Sequence, residues 1–168
     1  MQSRRRLLEA AARFGGLAWL AGLAGIVWRG RRAEAAADER TFDAYLDTLI
    51  PDEASAPGAL RLGIRAQVAA GIGDTGLIEQ FCRWLDDRAR AAGGRSFAGL
   101  AADAREAIVA AAEAAAPDTL PARAFRRTRH EAFAHYYADA RSWPAVGYRG
   151  PPQPEGFPDY AQPPQDER

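Results

Sequence analysis

The stretch TGLIEQFCRWLDDRARAAGG, residues 75–94, decides the fold class, because it is the most strongly periodic part of the chain. Its large apolar residues recur at the spacing of one helical face and are Leu77, Ile78, Phe81, Trp84 and Leu85. Six of the other positions carry charged residues, and Gly93-Gly94 is typical of a helix C-terminus. The stretch therefore predicts an amphipathic helix from about Thr75 to Ala92.

Two helices are predicted before this one. Residues 39–50 place apolar side chains at i, i+3, i+4, i+7 and i+8, and Pro51 ends the pattern. These side chains are Phe42, Tyr45, Leu46, Leu49 and Ile50. A Pro/Gly turn follows, in which Asp52 and Glu53 are expected to cap the next segment. That segment is a predicted helix over residues 57–72, with one stripe formed by Leu60, Ile64 and Val68.

Two more helices are predicted after it. The fourth begins at Ser96 or Asp103 and runs to Ala116, and the fifth spans residues 120–139. The fifth carries Phe125, Phe133, Tyr136 and Tyr137. No run alternates with period two for long enough to indicate a strand. The chain is therefore predicted to be all-α, a small domain of about five helices followed by an extended C-terminal tail.

The N-terminal 37 residues have the layout of an export signal. A basic start is followed by an apolar stretch over residues 14–28, and A-x-A cleavage sites lie within residues 33–37. As a helix the apolar stretch would span about 22 Å, which is short of the roughly 30 Å hydrocarbon core of a bilayer. The start also resembles the twin-arginine pattern S-R-R-x-F-L, through Arg4, Arg5, Leu7 and Leu8. An uncleaved membrane anchor and an amphipathic N-terminal helix are the alternatives.

The charge distribution bears on which partners can be expected. The 168 residues contain 22 basic and 22 acidic residues, but residues 1–37 hold seven arginines and two acids. Residues 38–168 are therefore net acidic, which gives no electrostatic reason to expect binding to nucleic acid or to an anionic membrane surface.

The sequence offers no clear active site. His130 and His135 are five residues apart, about 140° around a helix, so they do not form the i, i+4 pair of a zinc helix. Asp43 and Asp47 share a helix face and could act as a general acid/base pair, or simply form its solvent side. Cys82 is alone and is either a small buried residue or half of a disulfide to another chain.

The C-terminal tail is the least ordinary part of the chain. Trp143, Tyr148, Phe157 and Tyr160 are four large aromatic residues within 18 positions, interspersed with prolines that extend the backbone. Exposed rings of this size favour association. The tail therefore wraps either its own helices or a partner, and the small size of the domain favours the partner.

Two segments carry a family resemblance. TLIPDEASAPGALRLG (residues 48–63) and HYYADARSWPAVGYRGPPQPEGFPDY (residues 135–160) resemble the gluconate 2-dehydrogenase subunit 3 family, the small subunit of membrane-bound bacterial sugar and sugar-acid dehydrogenases. The resemblance implies a non-catalytic subunit that has no cofactor of its own. It also implies an FAD-dependent, GMC-type catalytic partner and a multihaem cytochrome c partner.

The same resemblance implies a location and a set of contacts. The complex would be periplasmic and associated with the inner membrane, and the twin-arginine translocase would export it. The implied partner contacts are Trp143, Gly147, Tyr148, Pro151, Pro152, Phe157 and Tyr160. The predicted organisation is a signal (residues 1–37), a helical domain (38–140) and a partner-binding tail (141–168). A stand-alone exported helical enzyme and a membrane-anchored structural protein are the competing interpretations.

Overall fold

The structure is a computed structural model that describes residues 34–150. This part of the chain is built from helices and contains no strand. The elements in chain order are α1 (residues 34–49), α2 (Ala59–Leu62), α3 (Arg65–Ile72), α4 (Thr75–Ala91), the 3₁₀ helix η1 (Phe97–Gly99), α5 (Ala102–Glu113), α6 (Leu120–Ala138) and the 3₁₀ helix η2 (Trp143–Val146). The predicted all-α fold is confirmed.

Among the described helices α6 is the longest, and α2, α3, α4 and α5 all pack against it. A tyrosine of α1 completes the core. The ring of Tyr45 meets that of Phe81 in α4 edge to face, with 5.0 Å between ring centroids. Its hydroxyl lies 2.7 Å from Oγ1 of Thr128 in α6. Thr128 donates its own hydrogen to the Ala124 carbonyl, so Tyr45 is the donor between the two hydroxyls. One buried side chain thus joins three helices.

Both ends of α4 form where the sequence predicts them. At the N-terminus, Oδ1 of Asp74 accepts a hydrogen bond from the backbone N–H of Leu77 at 3.0 Å, which satisfies one unpaired donor of the first turn. At the other end, Gly93 adopts a φ of +87°, which a glycine tolerates without steric cost. These local signals explain why the bounds of this helix could be predicted to within a residue.

The buried carboxylate of Asp86 connects α4 to two neighbouring elements. Asp86 is only 8% exposed, and its Oδ1 accepts hydrogen bonds from Oγ1 of Thr41 at 3.1 Å and from the backbone N–H of Phe97 at 2.8 Å. Because these donors come from α1 and η1, the carboxylate ties both to α4. A buried polar group of this kind stabilises a fold only while its partners are present.

Two predicted helices differ from the observed ones. The predicted helix over residues 57–72 is divided into α2 and α3, because Gly63 has a φ of +70° and breaks the run. Leu60, expected on the buried stripe, is 47% exposed. The predicted fourth helix is shorter: Ser96 precedes η1, and Asp103 lies in the first turn of α5.

Structured residues also lie beyond both bounds predicted for the helical domain, residues 38–140. The chain is already helical at residue 34, so the predicted signal boundary at residue 37 lies within the first turn of the described α1. At the other end, residues 143–146 form η2 instead of extended chain. In residues 34–150, no helix has both the length and the apolarity needed to cross a bilayer.

Candidate partner-binding surface

The two segments that carry the family resemblance meet at the C-terminal end of α6. The turn after α1 is closed by a hydrogen bond from the Ala59 N–H to the Ile50 carbonyl at 2.9 Å. The following helix, α2, packs on α6. Arg141, three residues beyond α6, donates from its guanidinium to the Leu62 carbonyl at 2.9 Å. Segments that are far apart in the sequence therefore build one end of the molecule.

The chain that leaves α6 is held by short polar contacts. Ser142 is fully buried, and its hydroxyl lies 2.8 Å from the Tyr136 carbonyl and 2.9 Å from that of Asp139, either of which can accept its hydrogen. The guanidinium of Arg141 pairs with the Asp139 carboxylate at 2.6 Å. This pairing, together with the Arg141 backbone N–H, lowers the pKa of Asp139 to about 2. These contacts fix residues 139–142, which form the base from which the following segment leaves α6.

Trp143 and Tyr148 form a compact aromatic pair beyond this base. Nε1 of Trp143 donates to the Tyr137 carbonyl at 2.8 Å, which fixes the indole at the end of α6. Gly147 has a φ of +70°, so the chain turns back and the Tyr148 N–H reaches the Trp143 carbonyl at 3.0 Å. The two rings then meet edge to face, with centroids 5.0 Å apart. Gly147, which the resemblance implied as a contact, here has a conformational role.

Two aromatic residues of α6 extend this pair across the surface. Phe133 and Tyr137 are 36% and 52% exposed, and their rings stack with centroids 6.1 Å apart. Tyr148 is 45% exposed, whereas Trp143 is partly buried. We refer to these four residues as the aromatic surface. Clustered exposed rings on a small domain are typical of protein-binding sites.

The predicted site residues thus fall into two groups. Trp143, Gly147 and Tyr148 lie together in the described chain. The remaining tail contacts, Pro151, Pro152, Phe157 and Tyr160, lie outside the described residues, as do the signal residues Arg4, Arg5, Leu7 and Leu8. Sequence reasoning placed Phe133 and Tyr137 in the fifth helix but did not include them among the partner contacts, and in the structure both are exposed. Their i, i+4 spacing was the available signal, because it defines a second stripe beside the buried one.

Asp43 and Asp47, the alternative acid/base pair, each form an ion pair with an arginine. Oδ1 of Asp43 lies 3.4 Å from Nε of Arg65, and Oδ2 of Asp47 lies 3.2 Å from a terminal nitrogen of Arg105. Burial raises the pKa of Asp43, and the nearby Arg65 opposes that rise. The two carboxylates link α1 to α3 and to α5. Their role in the fold is therefore structural.

The two histidines have different surroundings on α6. His135 lies beside Glu131, with 3.9 Å between Nε2 and Oε2, whereas His130 lines the cleft between α6 and the start of α4, which Glu131 also borders. Across residues 34–150, no group of three His, Cys, Asp or Glu side chains is arranged to hold a metal ion.

Cys82 is fully buried, and its thiol lies 3.5 Å from the Asp38 carbonyl. Burial raises the pKa of this thiol to about 12. The predicted disulfide to another chain remains untested, but the burial argues against it, because the sulfur would have to leave the core to form it.

These features define a class of protein: a small all-helical domain whose most distinctive surface is aromatic and suited to binding another protein. A match to a family model gives a narrower assignment. The model for gluconate 2-dehydrogenase subunit 3 matches residues 36–150, and the chain belongs to that family. It is thus an accessory subunit of the type found in multi-subunit gluconate dehydrogenases. No curated protein and no solved structure gives a significant match.

Proposed function

We propose that this chain is the non-catalytic small subunit of a periplasmic, membrane-associated dehydrogenase complex that oxidises a sugar or sugar acid. Its catalytic partner would be a GMC-type flavoprotein carrying FAD, and a multihaem cytochrome c would accept the electrons. The family membership supports this proposal, because it makes the chain a subunit-3-type accessory subunit of a gluconate dehydrogenase complex. The observation that carries the proposal is the aromatic surface, which occupies the end of the domain where the two family segments meet.

The aromatic surface has the properties of an interface anchor. Large aromatic side chains can bury roughly 150–250 Å² each, and Trp and Tyr are enriched among the residues that dominate binding energies. Trp143 is already oriented by its hydrogen bond to α6, and Tyr148 is fixed against it. Because little ordering entropy remains to be lost, more of the contact energy contributes to binding.

The tail would continue this contact along the partner. Pro151 and Pro152 favour an extended backbone, which lowers the entropy lost when the chain lies in a groove. Phe157 and Tyr160 would then occupy apolar pockets beyond those of Trp143 and Tyr148. This recognition mode needs no catalytic group in the small subunit.

The N-terminal signal supplies a reason for a separate subunit. FAD is inserted into its apoprotein in the cytoplasm, so the flavoprotein has to fold there before export. A twin-arginine signal on a tightly bound companion, with Arg4 and Arg5 at its centre, would carry both folded chains across the membrane. The small subunit would thereby assist both the maturation and the export of its partner.

An export experiment tests this proposal. Replacing Arg4 and Arg5 by lysine in the native host should strongly reduce the FAD-containing partner in the periplasm and leave it in the cytoplasm. Arg13→Lys, which lies outside the arginine pair, is the matched control and should have little effect. An unchanged amount of periplasmic flavoprotein in the double variant would refute the shared export route.

A further inference from the structure

The outward face of α6 continues the aromatic surface toward the start of the helix. Four exposed residues there are spaced i, i+3, i+4 and i+7, which places them on one face, and they are Arg123, Arg126, Arg127 and His130. We call them the basic strip. At 100° per residue, these positions and those of Phe133 and Tyr137 fall within about 120° of the helix circumference. One face of one helix is thus basic in its first half and aromatic in its second.

The basic strip borders a single cleft of about 490 Å³ between α6 and the start of α4. Two carboxylates also line this cleft, but both have other contacts. Asp74 caps α4 through the Leu77 N–H. Glu131 lies against Gly71, whose backbone leaves no room for a Cβ beneath the carboxylate, and it approaches His135 at 3.9 Å. Neither carboxylate is paired with an arginine of the strip.

Two of the three arginines are oriented by backbone carbonyls. Arg127 donates to the Ile72 carbonyl at 2.9 Å and Arg126 to the Pro117 carbonyl at 2.8 Å. Within residues 34–150, none of the three arginines of the strip forms an ion pair. In contrast, Arg129 on another side of the same helix pairs with Glu113 at 3.1 Å. The strip therefore presents unneutralised positive charge in a chain whose residues 38–168 are net acidic.

We infer that the basic strip and the aromatic surface form one docking face, and that its occupant is a protein partner with carboxylates opposite the arginines and an apolar groove opposite the rings. The inference rests on the proposed function and assigns the face of this subunit that the flavoprotein covers. Charge complementarity would set the register and speed the encounter, while the aromatic end would supply most of the affinity.

The geometry matches a protein interface in size. The helix α6 has 19 residues, so its outward face is about 28 Å long at 1.5 Å per residue. The aromatic pair Trp143 and Tyr148 lengthens that face beyond the end of the helix. A face of this length, with the width of a helix and its neighbours, is compatible with the roughly 800 Å² that each partner contributes to a standard interface. Anionic lipid is the competing occupant, and family membership favours a protein.

The test is a binding measurement between the full chain and the flavoprotein that co-purifies with it. The double variant Arg123→Glu/Arg126→Glu should weaken binding about tenfold or more at low salt, and the difference should shrink at high salt because the contact is electrostatic. Arg95→Glu, an exposed arginine in the loop after α4, is the control and should change the affinity less than about twofold. Arg123→Gln should give a smaller loss in the same direction.

The outcomes separate the two proposals. If the wild-type chain binds no flavoprotein, the proposed function fails and this inference fails with it. If Trp143→Ala weakens binding but the double variant binds like the wild type, the inference alone is wrong. If the double variant loses binding only to anionic phospholipid vesicles, the strip contacts lipid and the inference is overturned. Matching circular dichroism melting curves of all variants would show that folding is not the cause.

Discussion

At the residue scale, the most informative contact is the buried pair of hydroxyls that joins α1 to α6. Tyr45 donates to Thr128, and Thr128 donates onward to the Ala124 carbonyl. The two residues are therefore not equivalent. Burial also raises the pKa of Tyr45, because a phenolate could not be solvated there.

This asymmetry gives the first prediction. Tyr45→Phe should lower the free energy of unfolding by about 1 kcal/mol, because the Thr128 hydroxyl keeps its bond to Ala124. Thr128→Val should cost more, about 1–3 kcal/mol, because it leaves the Tyr45 hydroxyl buried without an acceptor. Urea denaturation of both variants makes the comparison. A larger loss for Tyr45→Phe than for Thr128→Val would contradict the assigned direction of the bond.

The second prediction concerns Cys82. Its pKa is raised from 9.0 to about 12 by burial, so the thiol stays protonated and inaccessible in the folded chain. We expect no reaction with Ellman's reagent at about pH 8 until denaturant is added. The folded state holds the thiol proton more tightly than the unfolded state does. The stabilising contribution of the protonated thiol is therefore complete below pH 9 and declines as the pH rises toward about 12. Rapid labelling of Cys82 in the native chain would contradict this prediction and would favour the predicted inter-chain disulfide.

At the element scale, two glycines beside α2 have different reasons for being glycine. Gly63 needs its positive φ, but a Cβ there would have nothing within 4 Å. Gly58 has an ordinary φ, yet a Cβ would lie 2.5 Å from the backbone N of Asp52 and 2.8 Å from the Ile50 carbonyl. Backbone atoms in a closed turn cannot move aside as the end of a side chain can.

The third prediction compares these two positions. Gly63→Ala should cost about 1–2 kcal/mol, the strain of placing an alanine in the left-handed region. Gly58→Ala should cost about 3 kcal/mol or more, because the turn has to open. Chemical denaturation of the two variants tests the order, and equal losses would show that the turn is not as tight as described.

The fourth prediction uses the ion pair after α6. The pKa of Asp139 is about 2, below its ordinary 3.8, so its contribution to stability is present above pH 3.8 and is lost as the pH falls through about 2. Asp139→Asn should therefore lower the urea midpoint near neutral pH, and the difference from the wild type should vanish at about pH 2. Asp103→Asn, an exposed carboxylate in α5, is the control. A difference independent of pH would refute the assignment.

The helices also show how much of the fold could be predicted from the sequence. The bounds of α4 follow from the local features Asp74 and Gly93, which act within one turn of the helix. The break at Gly63 could not be predicted, because a lone glycine is tolerated in a helix and its conformation is set by tertiary packing. Phe133 and Tyr137 could be placed in α6 but not on its exposed side, because their i, i+4 spacing fits a buried stripe as well as an exposed one.

At the scale of the whole molecule, the helical core carries a docking face at one end and along one side. The basic strip could not be recognised from sequence, because exposed arginines are ordinary on a helix until their lack of ion pairs is known. Trp143 and Tyr148 could be singled out in advance, because large rings among prolines in a terminal segment are stabilised mainly by contact with another surface. The fold thus determines which of these residues act together.

The central claim, that this chain is the non-catalytic companion of a flavoprotein, is tested most directly by co-purification from the native host. The chain would be tagged and isolated from the periplasm, and the absorption spectrum and mass of the accompanying proteins would be recorded. We expect a stoichiometric partner with FAD absorbance, largely lost in the variant Trp143→Ala and retained in Arg95→Glu. A colourless, monomeric chain that binds no flavoprotein would contradict the account.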